Sequence, residues 1–378
     1  MQDKIWLSSP HMGGNEMTYV QEAYDTNWVA PLGHNVNEFE RSLADYIDVK
    51  QASALSAGTA ALHLALILLG VQAEDEVIVQ SFTFSASVNP ILYLGARPIF
   101  VDSEEDTWNM SPIALKEAID DRISKGKKPK AIIPVHLYGM PAKMKEIKEI
   151  ANFYSIPIVE DAAEALGSTL DGIKMGAWGK LGILSFNGNK IITTSGGGAL
   201  VSDDEILIEK SRFLASQSRD DAPYYQHSEI GYNYRMSNIV AGIGRGQMEV
   251  LNDRVKQRRK VNAWYKLLLA EQKGIHFHNA PTKDYYSNYW LTSIIVDPKE
   301  TGGITHNDIR LALEKENIES RLLWKPMHLQ PIFSKYPFYS TGVSESLFEN
   351  GLCLPSGSNM SDIDMQRIKK TLKQILKF

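Results

Sequence analysis

Cysteine is almost absent: Cys353 is the single thiol in 378 residues. No intrachain disulfide and no cysteine-rich zinc site can form, which favours a reducing compartment and excludes a disulfide scaffold. A large excess of charge is lacking too. Lys and Arg together number 40 against 45 Asp and Glu, a formal net charge of −5, so the chain carries no electrostatic footprint for nucleic acid or an anionic membrane. Long apolar runs are missing: the most apolar stretch, residues 60–71, is about half the roughly 20 residues a bilayer span requires, and it contains His63. Residues 1–14 are polar, without the charged start and apolar core of a signal peptide, and neither end carries a lipidation pattern. The expectation is a cytoplasmic protein with no nucleic-acid or membrane partner and no metal, whose chemistry rests on something other than cysteine.

What is present is an ordinary globular composition, 43% hydrophobic and 22% charged, with length for two to three domains at roughly 150 residues each. The first two-thirds alternates short apolar runs with helical patterns. Residues 76–80 (EVIVQ), 98–101 (PIFV), 131–135 (AIIPV), 156–160 (IPIVE) and 182–186 (GILSF) read as strands, and helices between them predict a mostly parallel sheet covered on both faces. Residues 247–269 read as a long helix leading out of this core. Its KQRRK run at 256–260 fits a solvated helix face better than a nucleic-acid patch. Beyond it, a strand at 289–296 and helices at 305–317 and 361–378 suggest a smaller α+β domain, with Ser361 and Asp364 as a helix-start signature. The division is drawn at 1–250 and 251–378.

Three features carry chemistry. Ser56-Ala-Gly-Thr59 stands directly before an apolar helix, where free backbone N–H groups and a hydroxyl can cradle a phosphate, or where Thr59 merely caps the helix. Asp161 follows a buried strand, at the carboxyl end where open α/β sheets bind ligands; it can pair with a cationic ring nitrogen, hold a metal or cap the next helix. Lys190 ends a strand and turn (Leu184-Ser-Phe-Asn-Gly-Asn-Lys190), where desolvation makes an amine nucleophilic; a surface lysine in a Gly/Asn turn is the plainer alternative. Glycines 196–198 need only a tight turn or close backbone approach. Gly242-Ile-Gly-Arg-Gly246 fits no nucleotide-binding spacing and is better explained by helix packing. Taken together, a phosphate cradle, an acid for a ring nitrogen and a lysine for an imine are the parts that pyridoxal 5′-phosphate (PLP) requires. His136 suits either the surroundings of such a cofactor or a turn hydrogen bond, His276 and His278 alternate as strand neighbours, and the tyrosines at 224, 225, 232 and 234 fit either a substrate-covering loop or packing.

From about Leu7 onward the chain resembles the fold-type I sugar aminotransferases of the DegT/DnrJ/EryC1/StrS family. The resemblance rests on Ser56-Ala-Gly-Thr-Ala-Ala-Leu62, Pro134-Val-His-Leu-Tyr-Gly139, Glu160-Asp-Ala-Ala-Glu164, Ser185-Phe-Asn-Gly-Asn-Lys190, Gly231-Tyr-Asn-Tyr-Arg-Met-Ser-Asn238 and Arg321-Leu-Leu-Trp-Lys-Pro-Met-His328. Within the family, Leu7-Ser-Ser-Pro-His-Met-Gly-Gly14 and residues 187–198 look most like members of bacillosamine synthesis, which use glutamate to aminate a UDP-linked 4-keto-6-deoxy-N-acetylhexosamine. The resemblance implies an α/β fold with a mostly parallel seven-stranded sheet between helices, a smaller C-terminal α+β domain, and PLP as cofactor. Lys190 would carry the cofactor as an imine and move the substrate proton; Asp161 would hold the ring nitrogen. Gly58, Thr59 and Ser185 would bind the phosphate, Phe84 would stack on the ring, and Asn233 would reach the phosphate of a neighbouring subunit, making a homodimer with shared sites. Asn238, Arg321, Trp324, Lys325 and His328 would contribute to the sugar-nucleotide pocket. Two departures stand out: Glu164 where many members carry Gln or His, and Ser195-Gly-Gly-Gly198 where many carry Gly-Glu-Gly-Gly. An acid at 164 would have to be protonated or share a proton with the imine. Alternatives in the same family are dTDP- or GDP-linked ketosugars, or amination at C3. A noncatalytic, scaffold-type member is the alternative from a different class.

Overall fold

The computed structural model describes residues 3–378. Helices α1 (Glu16–Asp25) and α2 (His34–Ile47) precede strand β1 (Gln51–Leu55) and the apolar helix α3 (Gly58–Leu68). The chain then winds through β2 (Glu76–Gln80), α4 (Asn89–Tyr93), β3 (Arg97–Val101), α5 (Pro112–Ser124), β4 (Ala131–Ile133), α6 (Met144–Tyr154) and β5 (Val159–Asp161). A short hairpin, β6 (Thr169–Leu170) and β7 (Ile173–Lys174), leads to β8 (Leu181–Ser185), β9 (Gly198–Ser202) and α7 (Glu205–Ala215). Helix α8 (Asn238–Leu268) follows. The remainder comprises β10 (Ile275–Phe277), β11 (Tyr285–Tyr286), β12 (Thr292–Val296), α9 (His306–Lys315), β13 (Arg321–Leu322), β14 (Phe338–Tyr339), α10 (Val343–Asn350), β15 (Gly351–Leu354) and α11 (Asp362–Leu376).

Two four-stranded ladders, β1-β9-β8-β5 and β14-β3-β2-β4, meet at β5 and β4 through the parallel bridges Ile132–Ile158 and Val135–Asp161. The seven strands expected are therefore one layer, with the short β14 added parallel to β3 at its edge. All pairings within it are parallel except those of β9. Period-two alternation buries both faces: Val77 and Val79 pack with Leu62 and Leu66 of α3 on one side, whereas Ile78 packs with Leu115 of α5 and Ile147 of α6 on the other. Each of the five strands read from sequence is present within a few residues. Strands β1 and β9, rich in Ala, Ser and Gly, were not foreseen.

The C-terminal antiparallel sheet β10-β12-β15-β13 has its own core, in which Ile294, Leu313, Leu352 and Ile368 meet Val261 and Tyr265 of α8. The boundary drawn at residue 250 falls inside α8, and Ile5 from the N-terminal segment belongs to this second core. Ser361 and Asp364 form a reciprocal capping box at the start of α11. The KQRRK run is neither a basic patch nor a fully solvated face, because Arg258 within it is 1% exposed. Its guanidinium donates to the Trp290 carbonyl (2.7 Å) and Ser8 Oγ (2.8 Å), and burial, then the neighbouring Arg254, pulls its pKa down to about 9.

Candidate active site

The carboxyl ends of parallel strands β5 and β8 open into a cavity of about 460 Å³, whose other walls come from the start of α3, the loop before β12 and residues 321–324. This is the crevice position expected for a ligand of an open α/β sheet. Lys190, Asp161, Glu164, Ser185, Gly58, Thr59, Phe84, Arg321 and Trp324 all line it.

At one end stands the start of α3. Its N-cap is Ala57, whose side chain makes no capping hydrogen bond, so Thr59 is not the cap and the first-turn N–H groups lack a side-chain acceptor. Gly58 abuts Ser185 closely enough that an added Cβ would lie 3.1 Å from Ser185 Cβ, and a Cβ on Gly198 would lie 2.3 Å from the Gly58 nitrogen. The glycine run is therefore a close approach of backbones that sets the helix start against the Ser185 hydroxyl. A phosphate fits this corner on general grounds: uncapped N–H groups, the positive end of a helix dipole, and a hydroxyl.

Deeper in, Asp161 is oriented at both oxygens. Ser87 Oγ donates to Oδ2 (2.6 Å) and the Ala163 N–H to Oδ1 (3.1 Å), with the Thr83 hydroxyl 2.7 Å from Ser87 Oγ. Lys190 Nζ lies 3.2 Å from Glu164 Oε1 and 4.4 Å from the Trp290 ring centroid. Glu164 is buried and takes the Tyr138 N–H on Oε2 (2.8 Å). Burial pushes its carboxyl above the ordinary value, against the opposing pull of the Lys190 charge and the Tyr138 N–H. The Cys353 thiol also borders the cavity, but burial pushes its pKa up to about 12, which disfavours the nucleophilic thiolate.

An open helix start with a serine, an anchored carboxylate and a lysine amine in one cavity match the donor set of PLP. The fold and this site define a fold-type I, PLP-dependent enzyme. Comparison with known proteins narrows the class. The sequence profile of the DegT/DnrJ/EryC1/StrS aminotransferase family matches residues 10–373. EpsN of Bacillus subtilis (strain 168), provisionally named a pyridoxal phosphate-dependent aminotransferase, is 53% identical over 376 residues, 98% of this chain and 96% of its own. GDP-perosamine synthase of Caulobacter vibrioides is 37% identical over 378 residues, covering 99% of this chain and 98% of its own. Among solved structures, the PLP form of a provisionally named sugar aminotransferase from Streptococcus pneumoniae superposes with a TM-score of 0.89 at 28% identity, covering 99% of both chains. The chain belongs to the DegT/DnrJ/EryC1/StrS aminotransferase family and is a PLP-dependent sugar aminotransferase.

Four of the residues read from sequence are not brought to this cavity by their own chain. Asn238 is buried at the start of α8, where Oδ1 accepts the Asn35 N–H (2.9 Å) and Nδ2 donates to the Trp28 carbonyl (3.0 Å), so its amide is spent on fastening α2. His328 is held by Ser81 Oγ (2.7 Å) and Glu345 Oε1 (3.1 Å) and stacks on Phe338, ring centroids 3.6 Å apart. Lys325 is exposed outside the lining, and so is Asn233, which bridges Ser216. His136 serves its turn: one ring nitrogen lies 3.0 Å from Glu160 and the other accepts the Ala142 N–H at 3.1 Å. Of the tyrosines, 224 and 225 are exposed, while Tyr232 and Tyr234 stack on each other beside His63. Sequence reasoning missed Ser87, Trp290 and Asn288. Asn288 is fully buried and ties the Glu164 and Leu166 carbonyls, 2.9 Å each, to the Trp290 loop. An Asn two residues before a Trp at a strand entrance, inside Ser287-Asn-Tyr-Trp290, was the available signal.

Proposed function

We propose that the protein transfers the amino group of L-glutamate to C4 of UDP-2-acetamido-4-keto-2,4,6-trideoxyglucose, giving the UDP-4-amino sugar and 2-oxoglutarate for bacillosamine-type glycan synthesis. One contact carries the reading. The two runs that resemble bacillosamine-type members, residues 7–14 and 187–198, meet at the cavity, where Ser8 Oγ donates to the Asn189 carbonyl at 2.6 Å and Leu7 and Asn189 both line the wall. The features that set this subgroup apart therefore border the cavity.

In this role Lys190 Nζ carries the cofactor and moves the proton at the reacting carbon, with Glu164 beside it as the acceptor that holds the amine in place. Asp161, steadied by Ser87 and the Ala163 N–H, offers its carboxylate to the ring nitrogen. Gly58, Thr59 and Ser185 take the phosphate, and Phe84, which packs on Trp324 at 5.5 Å, covers the ring side of the cavity. When bound, PLP supplies the electron sink for breaking the C–H bond at the reacting carbon. The functional unit is a homodimer in which Asn233 of the partner subunit completes the phosphate site. Its support is the exposed position of Asn233 and of nearby Tyr225 and Ile230, 80% and 83% exposed, on a single chain.

A GDP-linked 4-keto-6-deoxysugar is the competing substrate, favoured by the 37% identity to GDP-perosamine synthase. Incubation with glutamate and UDP-, GDP- and dTDP-linked 4-keto-6-deoxysugars, with the C4 configuration of the product assigned by NMR, separates them. Amination of the UDP-sugar alone supports the proposal; activity confined to the GDP- or dTDP-sugar overturns it.

A further inference from the structure

The turn after β4 holds a strained residue in contact with two residues that line the cavity, Glu164 and Trp324. Tyr138 lies at φ 54°, ψ 18°, the left-handed region that a residue with a Cβ enters at an energetic cost, and it is 1% exposed. The turn is held on its far side. The Gly139 carbonyl accepts from Ser168 Oγ (2.7 Å) and Ser287 Oγ (2.9 Å), and a Cβ on Gly139 would lie 1.9 Å from Asn288 Oδ1. Held this way, Tyr138 is hydrogen-bonded to two residues of the cavity wall. Its N–H donates to Glu164 Oε2 (2.8 Å), whose other oxygen lies 3.2 Å from Lys190 Nζ. Its hydroxyl accepts the Trp324 N–H (3.1 Å), and its ring packs on the Trp324 ring at 5.3 Å.

We propose that Tyr138 is a positioning residue that couples occupation of the wall at residues 321–324 by the sugar nucleotide to the Glu164–Lys190 pair. The inference rests on the cavity being the transamination site described above. A ligand pressed against Arg321 and Trp324 displaces the Trp324 N–H. A rigid, clamped tyrosine passes that displacement to its own N–H, and so changes how Glu164, held at Oε2, meets Lys190 at Oε1. The groups facing Glu164 are Lys190 from the loop after β8, Asp161 from β5, the Tyr138 hydroxyl, and the Cys353 thiol on β15, which the Tyr138 hydroxyl and Arg321 also face. Among these, Tyr138 is the residue hydrogen-bonded both to Glu164 and to the substrate-facing wall.

The test is a pH titration of the visible absorbance of the holoenzyme, with and without saturating UDP-N-acetylglucosamine. This probe has a hydroxyl at C4 in place of a ketone and cannot accept an amino group. In the wild type the probe shifts the midpoint by about half a pH unit or more, in either direction. Tyr138→Phe keeps the N–H and loses only the hydroxyl; it binds the probe but shows less than half the shift. An equal shift in Tyr138→Phe, or binding with no shift in the wild type, overturns the coupling alone. Failure of the wild-type holoenzyme to bind the probe overturns the UDP-sugar reading and takes the coupling with it. Should the variant fold poorly, hydrogen exchange on the wild type decides: the probe protects peptides around residues 138 and 324 together, and protection confined to the latter overturns the proposal.

Discussion

At the scale of single residues, a buried imidazole with no acid beside it among the described residues makes the protein sensitive to mild acid. His278 is 4% exposed, stacks on Trp108 with ring centroids 3.9 Å apart, and places Nε2 2.9 Å from the Thr107 carbonyl. Burial lowers its pKa to about 3, against a small upward pull from that carbonyl. The folded chain thus keeps this ring neutral while the unfolded chain protonates it near pH 6.5. Its contribution is complete above that value and declines as pH falls toward 3, by about 1.4 kcal/mol per pH unit. His278→Gln should therefore flatten the loss of unfolding free energy between pH 7 and pH 5 by about 2 kcal/mol. Denaturant titrations at the two pH values check this, and an unchanged slope in the variant refutes it. Ser87→Ala tests orientation in the same way: releasing one oxygen of Asp161 should lower kcat by roughly tenfold while leaving KM for the sugar nearly unchanged. A larger fall in Lys190→Ala, of several orders of magnitude, sets the scale. Lys190 and Asp161 were singled out from their own places at a strand end or its following turn, and Ser185 only through the family resemblance; the structure brings all three to the cavity. Ser87 was not singled out, since it reaches Asp161 from 74 positions away in sequence.

Elements were legible where their signals are local and illegible where a distant partner supplies the reason for them. The capping box of α11 sits in four consecutive residues, and the apolar β2 needs no partner to read as buried. Strand β1, Gln-Ala-Ser-Ala-Leu, has little strand character, and only its antiparallel pairing with β9, about 150 residues on, makes it one. Helix α8 begins nine residues before its expected start because Gly242, Gly244 and Gly246, which lower helix propensity, are where α1 and α2 approach: added Cβ atoms would lie 3.0 Å from Tyr19, 2.7 Å from Phe39 and 2.7 Å from Glu16. The same steric reasoning predicts a contrast within one glycine run. A Cβ at Gly196 meets nothing within 4 Å, whereas one at Gly198 strikes the start of α3. Gly198→Ala should cost about 1–3 kcal/mol and weaken PLP affinity by pushing the phosphate corner open, while Gly196→Ala leaves both nearly unchanged. Thermal unfolding and a PLP titration of the apoenzyme measure the two effects, and equal affinities in both variants would refute the role given to that close approach.

For the whole molecule, the question is whether a single chain completes its own site. Most of the cavity wall is assembled within one chain, from both parts of the sequence: α3, β5 and β8 on one side, the Trp290 loop and residues 321–324 on the other, with Ser8, Arg258 and Asn189 joining the N-terminal segment to them. Asn233, exposed and absent from the lining, is the residue assigned to a neighbouring copy. If it completes the phosphate corner of a second copy, two damaged proteins should repair each other. Lys190→Ala lacks the amine and is inactive alone; Asn233→Ala retains the amine and is weakened alone. In a mixed dimer one site combines both lesions, while the other pairs an intact Lys190 with an intact Asn233. Random exchange at equal amounts makes half the dimers mixed, so about one-quarter of all sites should regain wild-type turnover. Activity measured before and after subunit exchange distinguishes this from a site built within one chain. In that case mixing yields no more than the sum of the separate activities, and the shared-site dimer is wrong.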